Sequence, residues 1–407
     1  MGLSNDTSIN LTIIISIVSD GPSGRTPVSS ARGALEPRYA AIYGQASALA
    51  AKADSYSRQT GAGLAPNHAA LTDLRSSRLA KLAVPAGYGG RFKIVDPMAI
   101  CIVREVLMPA SSHLDSMFAM QGIGSFPITV AGTAEQKSRW LPKVAGMRVL
   151  AALALTEPEA GSDLRGITTS ISTRGDALLL TGEKSFISNA PIAGFYTTLA
   201  REGTALSMVL VPADAEGVTA TAGPELSAPH VIGSVRFDNV ALPASARLGQ
   251  PGQGMNVALA TLTVFRASVG AAAVGLAQRA LEEAVRHTRT RQQFGRPLAR
   301  QGAVASMLAD SWADVEMARL LVYRAATLAR DSPADALTLS SLAKLAATEA
   351  AGRVVDRCVQ MMGRFGLIRD SVIERLYREA RPLRIYEGAS EVLRMNLARA
   401  LSDQVPQ

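Results

Sequence analysis

Apolar residues recur at helical spacing from Leu35 to Leu82, first as Tyr39, Ile42 and Tyr43 and then as Leu71, Leu74, Leu79 and Leu82. The string Pro85-Ala86-Gly87-Tyr88-Gly89-Gly90 breaks the pattern, and helical spacing returns from Pro97 to Leu107 and through Phe126 to Val130. Gly132-Thr133-Ala134-Glu135-Gln136-Lys137 has the composition of a helix start, with Thr133 as N-cap and Gln136 at the third helical position. From Arg148 to about Gly249 the apolar runs shorten to strand length (Val149–Leu155, Ala177–Leu180, Leu206–Val211), and Val235–Val240 alternates. After Pro251-Gly252-Gln253-Gly254 long stripes reappear: Leu259, Leu262, Val269, Ala273, Leu276 and Leu281, then Met307, Leu308, Trp312 and Val315. Their lengths fit a helical bundle.

The pattern predicts an α+β chain in four parts: a lead-in over 1–33, a helical domain over 34–148, a central β domain over 149–250 and a helical bundle over 251–407. That order excludes a doubly wound sheet, in which strands and helices alternate. No GxGxxG or P-loop string follows a strand, so a nucleotide cofactor would be held by other means.

Composition sharpens this picture in three respects. Hydrophobic residues make up 48% and charged residues 19%, enough to bury a large core, and with aromatics at 5% the abundant alanines favour close-packed helices. Cys101 and Cys358 are the two cysteines and form no CxxC, which implies neither a disulfide framework nor a zinc site and suits a reducing compartment. The net charge of +8 and pI near 9.7 come from arginines scattered along the whole chain rather than gathered in a tail. Phosphate-bearing cofactors account for part of it, and a nucleic-acid partner is not expected. The apolar run Ile13–Val18 is too short to span a bilayer and lacks a basic segment before it. The Gly/Pro/Ser-rich stretch Gly21–Gly33 reads as a flexible lead-in, and a cytoplasmic protein with no membrane contact is expected.

Five strings carry candidate chemistry. Leu155-Thr156-Glu157-Pro158-Glu159-Ala160-Gly161-Ser162-Asp163 leaves a strand for a turn that offers backbone N–H groups and hydroxyls in a small space. Thr181-Gly182-Glu183-Lys184-Ser185-Phe186-Ile187-Ser188-Asn189 sets an aromatic two residues before a hydroxyl. Arg291-Gln292-Gln293-Phe294-Gly295-Arg296-Pro297-Leu298 closes a helix, and Gln360-Met361-Met362-Gly363-Arg364-Phe365-Gly366 closes another. Arg384-Ile385-Tyr386-Glu387-Gly388-Ala389-Ser390-Glu391 holds a carboxylate beside a flexible turn.

Together these strings resemble the acyl-CoA dehydrogenase family over about Leu35 to Leu401. The resemblance implies FAD, bound by Leu155, Thr156, Gly161 and Ser162, with Phe186 and Ile187 at the isoalloxazine and Ser188 near flavin N5. It implies that Arg291 and Phe294 reach the FAD of a neighbouring subunit, that Gln360, Gly363 and Glu391 add cofactor contacts, and that the protein is a homodimer or tetramer. Glu387 matches the base that removes the α-proton of an acyl thioester while hydride leaves the β-carbon. The thioester carbonyl would lie between the Glu387 backbone N–H and a flavin hydroxyl, an oxyanion-hole arrangement. Ser162, Arg266 and Gly388 fall at the substrate by the same likeness, and an electron-transfer flavoprotein is the implied acceptor.

Several positions depart from the family pattern. Phe186 and Ser188 stand where Trp and Thr are usual, Arg364 where Gly is usual, and Gly302 where a glutamine is usual. Some branches place the base just before an arginine on an earlier helix; here that position is Phe265, before Arg266, so Glu387 has no substitute. The segment Gly217–Val235 is shorter than the usual link and lacks a Leu-Gly-x-Arg-x-Ser string before Phe237-Asp238-Asn239-Val240, and Thr263 replaces a frequent Asp. These differences lie near the thioester carrier in relatives, which leaves coenzyme A and an acyl carrier protein as alternative carriers. Met117, Phe118, Met120 and Gln121 fall on the helix that lines the acyl pocket in relatives, and their bulk points to short or branched acyl groups. Two further readings stay open at this stage: a flavin oxygenase or oxidase that uses dioxygen on a thioester, and a non-enzymatic DNA-associated module.

Overall fold

The computed structural model describes residues 36–53, 66–228 and 230–403. The run Ile13–Val18 and the stretch Gly21–Gly33 lie outside the described residues. Among the described residues the helices α1 (Pro37–Ala50), α2 (His68–Ser77), α3 (Pro97–Ala110), α4 (Ser112–Ala131) and α5 (Ala134–Ala145) come first. The starts of α2 to α5 are set by side-chain caps, since the first N–H groups of a helix have no partner within it. Asn67, Asp96 and Ser111 cap α2, α3 and α4. At α5 the Thr133 hydroxyl accepts from the Gln136 N–H at 3.2 Å, and the Gln136 side chain accepts from the Thr133 N–H at 2.7 Å. This is the reciprocal box expected from Thr133 and Gln136.

The sheet holds β1 (Ala151–Ala154), β2 (Ser170–Arg174), β3 (Ala177–Ser188), β4 (Phe195–Glu202), β5 (Ala205–Pro212), β6 (Val218–Ala222) and β7 (Ile232–Pro243). The order is β1-β4-β2-β3-β7-β6, with β5 also paired to β4; β1 and β2 run parallel to β4 and the other pairs are antiparallel. Strand β4 is buried along most of its length, whereas β7 alternates, as a strand with one wet face must. Helix α4 lies against β1 and β4, and the Thr197 hydroxyl donates to the Gly124 carbonyl at 3.0 Å. A Cβ at Gly124 would fall 2.7 Å from the Ala152 nitrogen, so only glycine permits this approach.

The last part holds α6 (Gly254–Thr290), α7 (Gly302–Asp331), α8 (Ala336–Met362), α9 (Val372–Ala380) and α10 (Ser390–Ser402), with a hairpin of β8 (Gln292–Gln293) and β9 (Arg296–Pro297) after α6. Helix α6 is buried on nearly every side by α3, α7 and α8. It is long and apolar enough to cross a bilayer by length and composition, yet its apolar window is 89% buried inside the protein. Ala271, Ala272, Ala273 and Gly275 allow the close approach; a Cβ at Gly275 would meet the Glu105 carbonyl oxygen at 2.0 Å. The Arg319–Glu105 charges driven into this core are paired. The Arg319 guanidinium donates to Glu105 at 3.0 Å and to Gln278 at 3.1 Å, and Tyr323 donates to Glu105 at 2.7 Å.

A second buried pair ties the turn after β1 to the sheet. Lys184 is fully buried in β3, and its Nζ donates to Glu157 at 2.9 Å and to the Leu155 carbonyl at 2.8 Å. Glu157 also accepts from the Thr168 N–H and hydroxyl and from the Thr169 N–H. Burial alone would raise the Glu157 pKa, but these donors and Lys184 bring it down to about 2, while burial lowers Lys184 to about 8. The Glu157 contribution to stability is therefore complete above the ordinary carboxylate value of 4.5 and is lost as pH falls toward 2. Lys184→Met, which strands the carboxylate, should cost roughly 3–5 kcal/mol in urea unfolding at neutral pH. A loss below about 1 kcal/mol, the range of an exposed ion pair, would show that the pair is not what holds the turn.

Candidate active site

The turn that follows β1 is docked through its backbone as well as through Lys184. Glu157 and Ala160 exchange hydrogen bonds at 2.9 and 3.2 Å, and the Ser185 N–H donates to the Thr156 carbonyl at 3.0 Å. Leu155 and Thr156 are half-buried, and Gly161 and Ser162 are exposed at the apex. Directly after Lys184 the β3–β7 register shifts, and inside this bulge Phe186 takes a left-handed φ of 53°. A bulge re-aims a side chain, and an aromatic residue in that region is strained. Its ring is 59% exposed while Ile187 beside it is buried. Ser188 ends β3, with its hydroxyl 2.7 Å from His230 Nε2.

The two helix-end strings meet at one aromatic ring. Arg291 caps α6 by donating its N–H to the His287 carbonyl, and its guanidinium lies 5.8 Å from the Phe365 ring centre. Arg364, in the place where the family has glycine, is exposed and stacks on the same ring at 5.1 Å. Gln360 is exposed on the last turn of α8, where its carbonyl accepts from the N–H of Gly363, a residue with φ 56°. Between β8 and β9 the two-residue loop Phe294-Gly295 has φ values of 51° and 73°. Tight hairpins favour Asn-Gly there, so Phe294 bears a steric cost, and its ring is 93% exposed. Among the described residues no hydrogen bond, ion pair or ring contact joins this cluster to the Phe186 bulge of the same chain.

The carboxylate of the fifth string sits on a braced turn. Glu387 and Gly388 both have positive φ, 53° and 109°. Arg266 of α6 donates from Nε to the Glu387 carbonyl at 2.9 Å and from Nη1 to Ser341 at 3.1 Å. Lys344 of α8, fully buried, donates to the Gly388 carbonyl at 2.7 Å. At the far end of the turn Ser390 donates to Glu349 at 2.6 Å. Arg266, expected at the substrate, is thus buried beneath the turn and bonded to its backbone. Glu391 projects outward from the first turn of α10, 3.8 Å from Arg394.

The Glu387 side chain itself is not braced in this way. Its Oε2 is buried and has no hydrogen-bond partner among the described residues. Burial raises its pKa, and the charges of Arg104, Lys344 and Arg266 oppose the rise without cancelling it. Arg104 is largely neutralised by Asp115 at 2.7 Å and is fixed by Ser268 at 3.0 Å. Burial likewise lowers Lys344, to about 8. The result is a carboxylate that accepts a proton more readily than one in water. Phe265, beside Arg266, packs edge-on against Phe126 at 5.8 Å in an apolar core. Gln121 is buried and bridges α4 to the Val144 and Val149 carbonyls and the Ala151 N–H, which makes it a structural tie between helix and sheet.

Lys184, Lys344 and His230 were not singled out by the sequence reading. Lys344 had a legible signal, a lone cation on the buried stripe Ser340, Ala343, Lys344, Ala347 and Ala351 of α8. His230 lies in irregular chain and had none. The residues present fit a flavin: exposed rings on strained backbone at Phe186 and Phe294, hydroxyls at Thr156, Ser162 and Ser188, and an unpartnered buried carboxylate oxygen at Glu387.

Known proteins resemble this chain in sequence and in fold. The acyl-CoA dehydrogenase N-terminal, middle and C-terminal domain families match residues 46–148, 152–240 and 252–402. The Mycobacterium tuberculosis protein named "Probable acyl-CoA dehydrogenase FadE25" is 36% identical over 341 residues, 82% of this chain and 87% of its own. The caffeyl-CoA reductase–Etf complex subunit CarC of Acetobacterium woodii is 37% identical over 332 residues, 79% of this chain and 86% of its own. The crystal structure of a Bacillus anthracis acyl-CoA dehydrogenase complexed with FAD is 25% identical and covers 94% of this chain and 70% of that one, with a TM-score of 0.84. Three consecutive domain matches, a relative 36% identical over most of both chains and a common fold lead to one conclusion: this chain belongs to the acyl-CoA dehydrogenase family.

Proposed function

We propose that this chain is an FAD-dependent oxidoreductase that removes two hydrogens from the α and β carbons of an acyl-CoA thioester. The observation that carries this reading is Glu387: an unpartnered carboxylate oxygen, buried, with a raised pKa, on a turn braced by two buried cations. Relatives at 36–37% identity named for a dehydrogenase and a CoA-ester reductase support α,β chemistry over the use of dioxygen.

FAD, when bound, supplies the acceptor for the β-hydride. Thr156, Ser162, Phe186 and Ser188 would hold it on one subunit, and Arg291, Phe294, Gln360 and Gly363 of a second copy would complete the site. The separation of the Phe365 cluster from the Phe186 bulge within one chain supports this sharing, as does a Phe294 ring left almost wholly exposed. Glu387 takes the α-proton onto its carboxylate as the carbon–carbon double bond forms. Arg266 and Lys344 hold the two carbonyls of the Glu387–Gly388 turn, so the backbone of Glu387, with its N–H, keeps one orientation. An electron-transfer flavoprotein is the acceptor this reading requires, in a homodimeric or tetrameric cytoplasmic enzyme, and the printed name of the caffeyl-CoA reductase relative supports that partnership.

Four outcomes test the reading. Glu387→Gln should retain the fold and FAD while slowing anaerobic bleaching of the flavin by acyl-CoA by about 10²–10⁴ or more, because an amide cannot take the proton; near wild-type bleaching would move the base elsewhere. The bleaching rate should fall with decreasing pH through an apparent pKa above the ordinary carboxylate range, since the raised pKa of Glu387 leaves it protonated and inactive on the acid side. Arg291→Ala should weaken FAD binding by about 1.5–3 kcal/mol, the worth of a charge-assisted hydrogen bond. In light scattering the wild type should be at least a dimer; a monomer that keeps FAD with wild-type affinity would rule out the shared site.

A further inference from the structure

The link between β6 and β7, shorter here than in the family pattern, carries one side chain into the site. Its backbone is tied down at three points: the Gly223 N–H donates to the Ile232 carbonyl at 2.8 Å, Arg378 donates to the Ser227 carbonyl at 3.0 Å, and the Asn189 N–H donates to the Val231 carbonyl at 2.9 Å. Ser188 pairs with Ile232 across the β3–β7 ladder, so His230 necessarily lies beside the end of β3. Both ring nitrogens are engaged, Nε2 with the Ser188 hydroxyl at 2.7 Å and Nδ1 with the Ser116 hydroxyl of α4 at 3.1 Å.

We infer that His230 is a positioning residue, clamped between Ser116 and Ser188, that orients the Ser188 hydroxyl toward the flavin. The inference rests on the flavin reading above. A neutral imidazole has one donor and one acceptor nitrogen. Burial, with His113 nearby, lowers the His230 pKa to about 4, so the ring is neutral at working pH. With Nε2–H donating to Ser188 and Nδ1 accepting from Ser116, the Ser188 hydroxyl keeps its own proton to donate. Flavin N5 in the oxidised ring is an acceptor, so this is the tautomer that serves it. The opposite tautomer would spend the Ser188 proton on the histidine.

The clamp also answers the substitution of Ser188 for the threonine usual in the family. A threonine methyl restricts χ1, whereas serine leaves its hydroxyl free to choose among rotamers. Here the restriction comes from outside the residue, through His230, which is braced in turn by α4. Asp115 of the same helical turn is the Arg104 partner behind Glu387, so one turn of α4 supports both the base and the N5 hydroxyl.

The test uses the purified holoenzyme. His230→Phe keeps the ring volume and removes both nitrogens, and should slow flavin reduction by acyl-CoA about tenfold, the worth of one hydrogen bond, with unchanged binding of FAD and thioester. Adding Ser188→Thr to that variant should recover most of the loss, which a general packing defect would not allow. A second arm is independent of the flavin: nitrogen NMR of 15N-histidine-labelled protein, with His230 among the four histidines identified by its absence in His230→Phe. It should show the Nε2–H tautomer, and Ser116→Ala should move the Nδ1 resonance. Reduction by His230→Phe within about twofold of wild type, no recovery with threonine, or an Nδ1–H tautomer would each overturn the inference. A wild-type protein that takes up no FAD would instead overturn the flavin reading, and the NMR arm would still decide whether the clamp exists.

Discussion

A guanidinium in the middle of a protein must find acceptors, and Arg266 finds them in the carbonyl of Glu387 and the hydroxyl of Ser341. Helix α6 is buried almost all round because its alanines and glycines let α3, α7 and α8 close on it, so Arg266 has no route to water. The cost of leaving that charge unpaired is several kcal/mol, which pulls a loop 121 residues away in sequence onto the helix. Lys344 acts in the same way from α8 on the next carbonyl. The position of the Glu387 turn is thus a consequence of how the helical core solves its own polar problem.

The same economy recurs on the sheet side. Lys184 is buried in β3 and takes its acceptors from the turn after β1, which brings Thr156, Gly161 and Ser162 beside the bulge that turns Phe186 outward. In both places a buried cation holds a backbone carbonyl, and nearby a side chain is left exposed or unpartnered, Phe186 on the sheet side and Glu387 Oε2 on the helical side. Phe186, Phe294 and Glu387 also share a left-handed backbone that non-glycine residues seldom adopt. Strain of this kind persists only where the surroundings over-determine it, and the buried pairs next to Phe186 and Glu387 provide that support.

Specificity is divided along the same lines. Met117 and Phe118 are core residues of α4 and Gln121 is a tie to β1, so the bulk read at these positions belongs in part to packing rather than to an acyl pocket. The polar first turns of α4, with Ser116 and Asp115, face the β6–β7 link and the Glu387 turn instead.

Periodicity alone determined the helix–sheet–helix order and the Thr133–Gln136 cap, because spacing and capping are local and depend on residues within a turn or two of each other. The motif strings marked the turn after β1, the Phe186 strand, the Phe294 hairpin and Glu387 as candidates, since each is a contiguous run whose chemistry is written in its own residues. Lys184 and Lys344 looked like ordinary cations and Arg266 like a substrate contact, until packing showed them buried on distant carbonyls. His230 had no signal at all in its loop. What these four do depends on which carbonyl or hydroxyl a neighbouring segment presents, and only the tertiary structure decides that, because the burial that gives such a contact its strength is a property of the assembled layers and not of any stretch of chain.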